Sequence, residues 1–313
     1  MFIKFKNIDS HYIISFFGLT IKIKHKNPKI KDAKLSLPCL NTNPRTPKII
    51  LSLTTFPDRI NTVSKTIKTL LNQTLKPDKV ILWLAFEQFP KKEQELPEDL
   101  LELKNFGLDI KWCEDIKSYK KLIPSLIEFP NDIIITFDDD IYYPFDTVEK
   151  LYNSYLKNPD CIHTNRAKRF YIKNNTICAK KMSEVYWTKY QDISYKNAQT
   201  GCGGVLYPPK SLNPNVLNKQ EFMSLIPTHD DIWFWLNAIL NNTKIKIVDG
   251  FSTNLIPIEN TQQFGLCKIN NKSKNGINAL DALHIITNKY PSIIKKLKEE
   301  DTNLKKLLNG DLK

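Results

Sequence analysis

The chain has 313 residues, 41% of them hydrophobic, which is ample for one large buried core. Its 46 lysines and arginines against 33 acidic residues give a net charge of +13, favouring an anionic partner such as nucleic acid, a lipid surface or a phosphorylated substrate. Six scattered cysteines without a CxxC pair argue against a disulfide framework and a zinc site, and fit a reducing cytoplasm.

Many lysines fall in 22–34 and 295–306, so much of the basicity belongs to the flanks. The most apolar early run, 12–17, is too short to span a bilayer, and neither a signal peptide nor a transmembrane anchor is expected. Residues 11–26 read as two short strands around Gly18, with Ile21 and Ile23 alternating with Lys22, Lys24 and Lys26. A hairpin packed on the main domain is preferred over an element that touches a membrane. The proline-rich stretch 38–47 reads as a linker. From Lys48 onward, strands are predicted over 49–53, 79–85, 109–112 and 132–137, alternating with helices near 60–71, 97–105 and 120–128. That alternation implies parallel pairing with helices on both faces, and ligands collect beyond the carboxyl ends of such strands. The second half adds a helix over 148–156, a strand pair from 170, a strand over 205–207, a buried helix over 232–240 and a strand over 244–248. An Asn- and Lys-rich stretch beyond Gly265 suggests a mobile loop, followed by helices over 279–287 and 291–308. The expected division is 1–45 for hairpin and linker, 46–260 for a catalytic domain, and 261–313 for a loop and helical tail.

The strongest chemical signal is the apolar run 133–137 ending in Asp138, Asp139 and Asp140. Three carboxylates after a buried strand repel one another unless a cation neutralises them, and oxygen ligands of this kind suit Mg²⁺ or Mn²⁺. Period-two alternation places Asp138 and Asp140 on one side and Asp139 on the other. An acidic loop capping the next helix is the plain alternative. Gly201, Gly203 and Gly204 take three of only nine glycines, marking either a tight turn or a close approach to a ligand. His229, Asp230 and Asp231 open the aromatic helix, where an acid also serves as a cap.

Five stretches in this order, LSLTTFPDRI (51–60), DIKSYKKL (115–122), DDDIYYP (138–144), GCGGVLYP (201–208) and HDDIW (229–233), resemble bacterial GT-A type glycosyltransferases that build capsular polysaccharide or lipooligosaccharide. The resemblance extends over about residues 48–260. It implies a Rossmann-like mixed sheet flanked by helices, a nucleotide-sugar donor, a glycan or lipid-linked glycan acceptor, and Mn²⁺ or Mg²⁺ as cofactor. Carried over by position, Thr54, Arg59 and Asp115 would border the nucleoside, with Asp115 accepting hydrogen bonds from a base edge or ribose hydroxyl. Lys120 and Lys121 would meet the diphosphate or the sugar, and Asp139 would lie on the donor side. Asp138 would face the ribose or a metal-bound water and share the metal with Asp140, which bridges both phosphates through it. Gly203 and Gly204 would lie beside the donor sugar and the acceptor. Asp231 would be the general base and Asp230 its partner. His163 and Arg166 lie where an acceptor enters but stay outside the catalytic set, and a metal role for His284 is left open.

Two other classes remain in view. A metal-dependent phosphodiesterase or nuclease also gathers aspartates at strand ends, and a non-catalytic nucleic-acid or lipid binder would use the lysine-rich flanks. Under the glycosyltransferase reading no nucleic acid is expected, and the protein is cytoplasmic. A lipid-linked acceptor would bring it to the inner face of the cytoplasmic membrane.

Overall fold

The computed structural model describes residues 4–8, 11–16, 19–24, 34–180, 192–248, 255–265, 270 and 277–308. The chain falls into two compact units, 1–33 and 34–313. The first is an antiparallel meander of β1 (Lys4–Ile8), β2 (His11–Phe16) and β3 (Leu19–Lys24), one strand more than the sequence pattern suggested. Its register aligns Phe5, Ile14 and Ile21 in one row and Lys6, Ile13 and Lys22 in the next. Gly18 lies outside the described residues.

The second unit opens on residues 34–48, which carry no helix or strand. This proline-rich stretch is docked: Cys39 is buried, Asn41 donates its N–H to the Pro77 carbonyl at 2.7 Å, and Arg45 pairs with Asp78 at 2.8 Å. Next come β4 (Ile49–Thr54), β5 (Lys79–Ala85), β6 (Leu108–Cys113), β7 (Ile133–Thr136), β8 (Ile141–Tyr142), β9 (Ile162–Thr164), β10 (Ala167–Lys173) and β11 (Thr176–Ala179). The last are β12 (Ile193–Ser194), β13 (Asn197–Gln199), β14 (Val205–Tyr207), β15 (Ile245–Ile247) and β16 (Ile256–Pro257).

Eight of these make one mixed sheet in the order β12-β15-β9-β14-β7-β4-β5-β6, flanked by helices. The pairs β7–β4, β4–β5, β5–β6 and β9–β15 are parallel, whereas β14 runs antiparallel to both β7 and β9. A parallel strand buried on both faces needs an unbroken apolar text, and 49–51 and 133–135 supply it. Ile50 and Ile134 face a core built around the helix Asp230–Leu240, while Ile49, Leu51, Ile133 and Ile135 face one built on the helix Val63–Leu71. The latter helix turns Val63, Ile67, Leu70 and Leu71 inward at helical spacing.

Two predicted helices are broken, each for a local reason. The segment 97–105 is the helix Glu98–Leu101 running into a 3₁₀ turn, Glu102–Phe106, stopped by Gly107 at φ +103°. Over 120–128, Pro124 has no N–H to give to the Lys120 carbonyl and its ring would clash there, so Pro124 fits only in a first turn and the α-helix begins at Ile123. Lys117–Lys121 forms a separate 3₁₀ turn, entered through Lys117 at φ +55°. The Asn- and Lys-rich stretch beyond Gly265 falls mostly outside the described residues.

Because β14 is antiparallel, Val205 at its start pairs with Thr136 at the end of β7. The turn Gly201–Gly203 before β14 therefore shares an edge with the turns that follow the parallel strands. Gly204, at φ +83°, lies so close to the Phe137 ring that a Cβ would sit 2.9 Å from it. Replacing Gly204 with Ala should cost about 2 kcal/mol through overpacking and strain, read as a lower urea midpoint with unchanged slope.

Candidate functional site

The strand β7 ends at Thr136, and the chain turns at residues 139–140, so strand alternation no longer applies across the aspartates. Asp139 and Asp140 both meet the buried Arg59 guanidinium, at 2.6 and 3.0 Å, and Asp138 instead pairs with Lys121 at 2.7 Å. The expected split of Asp138 with Asp140 against Asp139 is therefore corrected: the turn redirects the side chains. Thr55 donates its hydroxyl to Asp139 at 2.5 Å, and Thr66 donates to the Asp139 and Ile141 carbonyls. Tyr143 accepts the Asp138 N–H and donates its own hydroxyl to the Cys202 carbonyl, tying the aspartate turn to the glycine turn.

The 3₁₀ turn Lys117–Lys121 delivers the other charges. Its backbone is fixed by Ser52, which donates to the Lys121 carbonyl at 2.7 Å, and by Tyr119, which stacks on Phe222 and donates to the Ile226 carbonyl. From this frame Lys120 reaches back to Asp115 at 2.6 Å, and Lys121 spans Asp138 and Asp230, the latter at 3.0 Å. The two neighbouring lysines thus serve different groups. Asp115 also accepts from Gln88 and from the Lys117 N–H; partial burial raises its carboxyl, but the Lys120 hydrogen bond and then the Lys117 N–H outweigh it and hold the carboxyl below the usual range. Thr54 donates to the Trp83 carbonyl at 2.8 Å, so its hydroxyl is spent within the sheet.

At the start of the helix Asp230–Leu240, neighbouring acids diverge. Asp230 is buried, with one oxygen accepting from Ser118 at 2.8 Å and the other against Lys121. Among the described residues the Asp231 carboxylate accepts only the Gly201 N–H, at 3.1 and 3.3 Å to its two oxygens. Burial and then the adjacent Asp230 push the Asp231 carboxyl up to about 7. Burial opposes the charge of Lys121, but Asp138, Asp230 and Asp231 together hold its ammonium well above the usual lysine range. A Cβ at Gly201 would lie 2.7 Å from the Lys121 Nζ, 2.9 Å from an Asp138 oxygen and 3.4 Å from an Asp231 oxygen. Gly201 is therefore the glycine that faces the charged cluster. Gly203 abuts Arg166, and Gly204 abuts Phe137, so both serve backbone packing here.

Five carboxylates thus surround two cations, Arg59 and Lys121. The excess negative charge shows at Asp140, whose carboxyl is pushed up to about 6 by burial and then by Asp138. Among the described residues Asp138 Oδ2 and Asp140 Oδ1 carry no hydrogen bond or ion pair, and the buried Arg59 Nε has no acceptor. Two uncommitted carboxylate oxygens in a region of surplus negative charge fit a hard divalent cation that takes its other positions from phosphate and water. Among the described residues no three or more His, Cys, Asp or Glu side chains are grouped so as to hold a metal ion, and His284 is exposed on the helix Ala279–Lys289. His163 is fully buried, bonded to Ser154 and the Asn158 carbonyl.

Sequence reasoning missed Thr55, Ser118, Tyr143 and Gln262. The first three sit inside or beside motifs already singled out and differ from their neighbours only in where the fold aims them. Gln262 donates to Asp140 from 122 residues away.

No protein-family model matches the chain, and no curated protein does. Among solved structures, TarS 1-349 of S. aureus is matched at 12% identity and a TM-score of 0.44. The match covers 65% of this chain and 58% of that one, so the chain spans less than two thirds of its length.

Proposed function

We propose that this chain is a divalent-metal-dependent glycosyltransferase that moves a sugar from a nucleoside diphosphate donor to a hydroxyl of a bacterial surface glycan, capsule or lipooligosaccharide. One observation carries the reading: Lys121 gathers the strand-end Asp138 and the helix-start acids Asp230 and Asp231 into one cluster with surplus negative charge. Such a cluster has a place for a cation at one end and a proton acceptor at the other.

In this reading Asp138 and Asp140 hold Mn²⁺ or Mg²⁺, whose chemistry is to neutralise the charge that grows on the departing diphosphate. Arg59 keeps Asp139 and Asp140 oriented. Asp115, with Gln88 and Lys120 behind it, receives the nucleoside at the ends of β5 and β6. Asp231 takes the proton of the acceptor hydroxyl, because among the described residues its carboxylate oxygens meet only one backbone N–H, while those of Asp230 face Ser118 and Lys121. Ser118 and Lys121 act through Asp230 as positioning groups. A lipid-linked acceptor would bring the protein to the inner face of the cytoplasmic membrane as a peripheral partner; no helix among the described residues is long and apolar enough to cross a bilayer.

The discriminating experiment is a thermal-shift screen of nucleoside diphosphates and nucleotide sugars with and without Mn²⁺. The reading expects one base to stabilise wild type only when metal is present, and Asp140→Asn to lose that stabilisation. Equal stabilisation without metal, or none with any nucleotide, counts against it.

Asp231 generates a second test, in which stability and activity move oppositely. A carboxyl raised from 3.8 to about 7 makes the folded chain bind more protons than the unfolded one between those values, so stability falls as pH rises through that window. Asp231→Asn should therefore melt higher than wild type at pH 8, with the gap narrowing below pH 7 and closing only as the pH falls to about 4. The same substitution should lower kcat by about 10²- to 10⁴-fold, the usual range for a lost general base, and abolish the rise of kcat/KM through pH 7. A variant that keeps the wild-type pH profile would remove Asp231 from the mechanism.

A further inference from the structure

We infer that Gln262 is a positioning residue that makes Asp140 a one-oxygen ligand, an inference that rests on the metal-diphosphate reading above. The residues 255–265 lie across the aspartate turn. Within them β16 pairs antiparallel with β8, Ile256 opposite Tyr142 and Pro257 opposite Ile141. Ile258 donates its N–H to the Asp140 carbonyl at 2.8 Å, Thr261 donates its hydroxyl back to the Ile258 carbonyl, and Arg59 reaches the Thr261 carbonyl at 3.3 Å. At the end of this segment, Gln262 Nε2 donates to Asp140 Oδ2 at 2.8 Å.

The same Oδ2 also receives Arg59 Nη2 at 3.0 Å, and Oδ1 carries no partner among the described residues. Two donors on one oxygen fix the carboxylate plane from two directions. The group can then neither rotate to offer both oxygens nor swing away, and Oδ1 is presented along one line. Since the partner is an acid, the Gln262 amide must offer its N–H rather than its carbonyl. Gln262 and its neighbour Gln263 are both exposed, so hydrophobic packing gives no reason for the amide to sit on the carboxylate. Partners behind a ligating carboxylate orient it, and losing one weakens metal binding by about 10- to 100-fold in comparable sites.

The test uses the full chain and three variants that separate orientation from simple stapling. Gln262→Met keeps the side-chain length and removes the donor; Gln263→Met alters the same segment without touching Asp140; Asp140→Asn removes the carboxylate. MnCl₂ is titrated with whichever of UDP, GDP and CDP stabilises wild type best, and the half-saturating Mn²⁺ concentration is read from the thermal midpoint. The expected result for Gln262→Met is about a tenfold higher half-saturating concentration, with the metal-free midpoint unchanged and Gln263→Met matching wild type. If Gln262→Met titrates like wild type, whether or not its metal-free midpoint drops, the residue only staples the segment and the inference is overturned. A wild-type chain that shows no metal response at all instead fails the functional reading, and the inference falls with it.

Discussion

A buried ammonium with carboxylates on several sides is costly to desolvate and costlier still to remove, because each acid it serves would then be left unpaired. Lys121 holds that place. It joins the turn after β7 to the start of the helix Asp230–Leu240, two elements brought together by the fold and not by sequence proximity. The surrounding architecture serves to keep this side chain where it is: Ser52 holds its carbonyl, Tyr119 anchors its turn, and Gly201 leaves room for its Nζ.

That arrangement gives two adjacent aspartates opposite characters. Asp230 is closed off from solvent, with one oxygen accepting from Ser118 and the other facing the Lys121 ammonium, while the Asp231 carboxylate takes, among the described residues, only a backbone donor and sits beside its neighbour's charge. Environment, not residue type, sets the two apart and pushes only the Asp231 carboxyl up to about 7. The same logic separates Lys120 from Lys121, since the first satisfies Asp115 beyond β6 and the second the central cluster.

Much of the sheet could be read from the sequence because its strands are buried on both faces and so leave uninterrupted apolar runs: 79–85 was placed at both ends, and 49–53 and 132–137 each within a residue at either end. Helices broken by Pro124 or ended by Gly107 were harder, since periodicity continues across the break. In the site, the acids stood out by clustering, but their directions did not. Alternation fails once a strand becomes a turn, and it misassigned the sides of Asp138, Asp139 and Asp140. Gln262 left no local signal because its only distinction is a partner far away in the chain. Gly203 and Gly204 attracted attention as glycines, yet the one facing the charges is Gly201, a difference that depends on backbone direction alone.

The separation between contacting residues has a consequence for how the protein is made. Arg59 touches Thr261 across 202 positions, and Asp140 waits for Gln262 across 122. On a ribosome the aspartate turn emerges long before the segment that covers it, so the nascent chain carries an incompletely held acidic turn for much of translation. Contacts of such range form slowly, and the capacity to grip a ligand must therefore be among the last properties a newly synthesised molecule acquires.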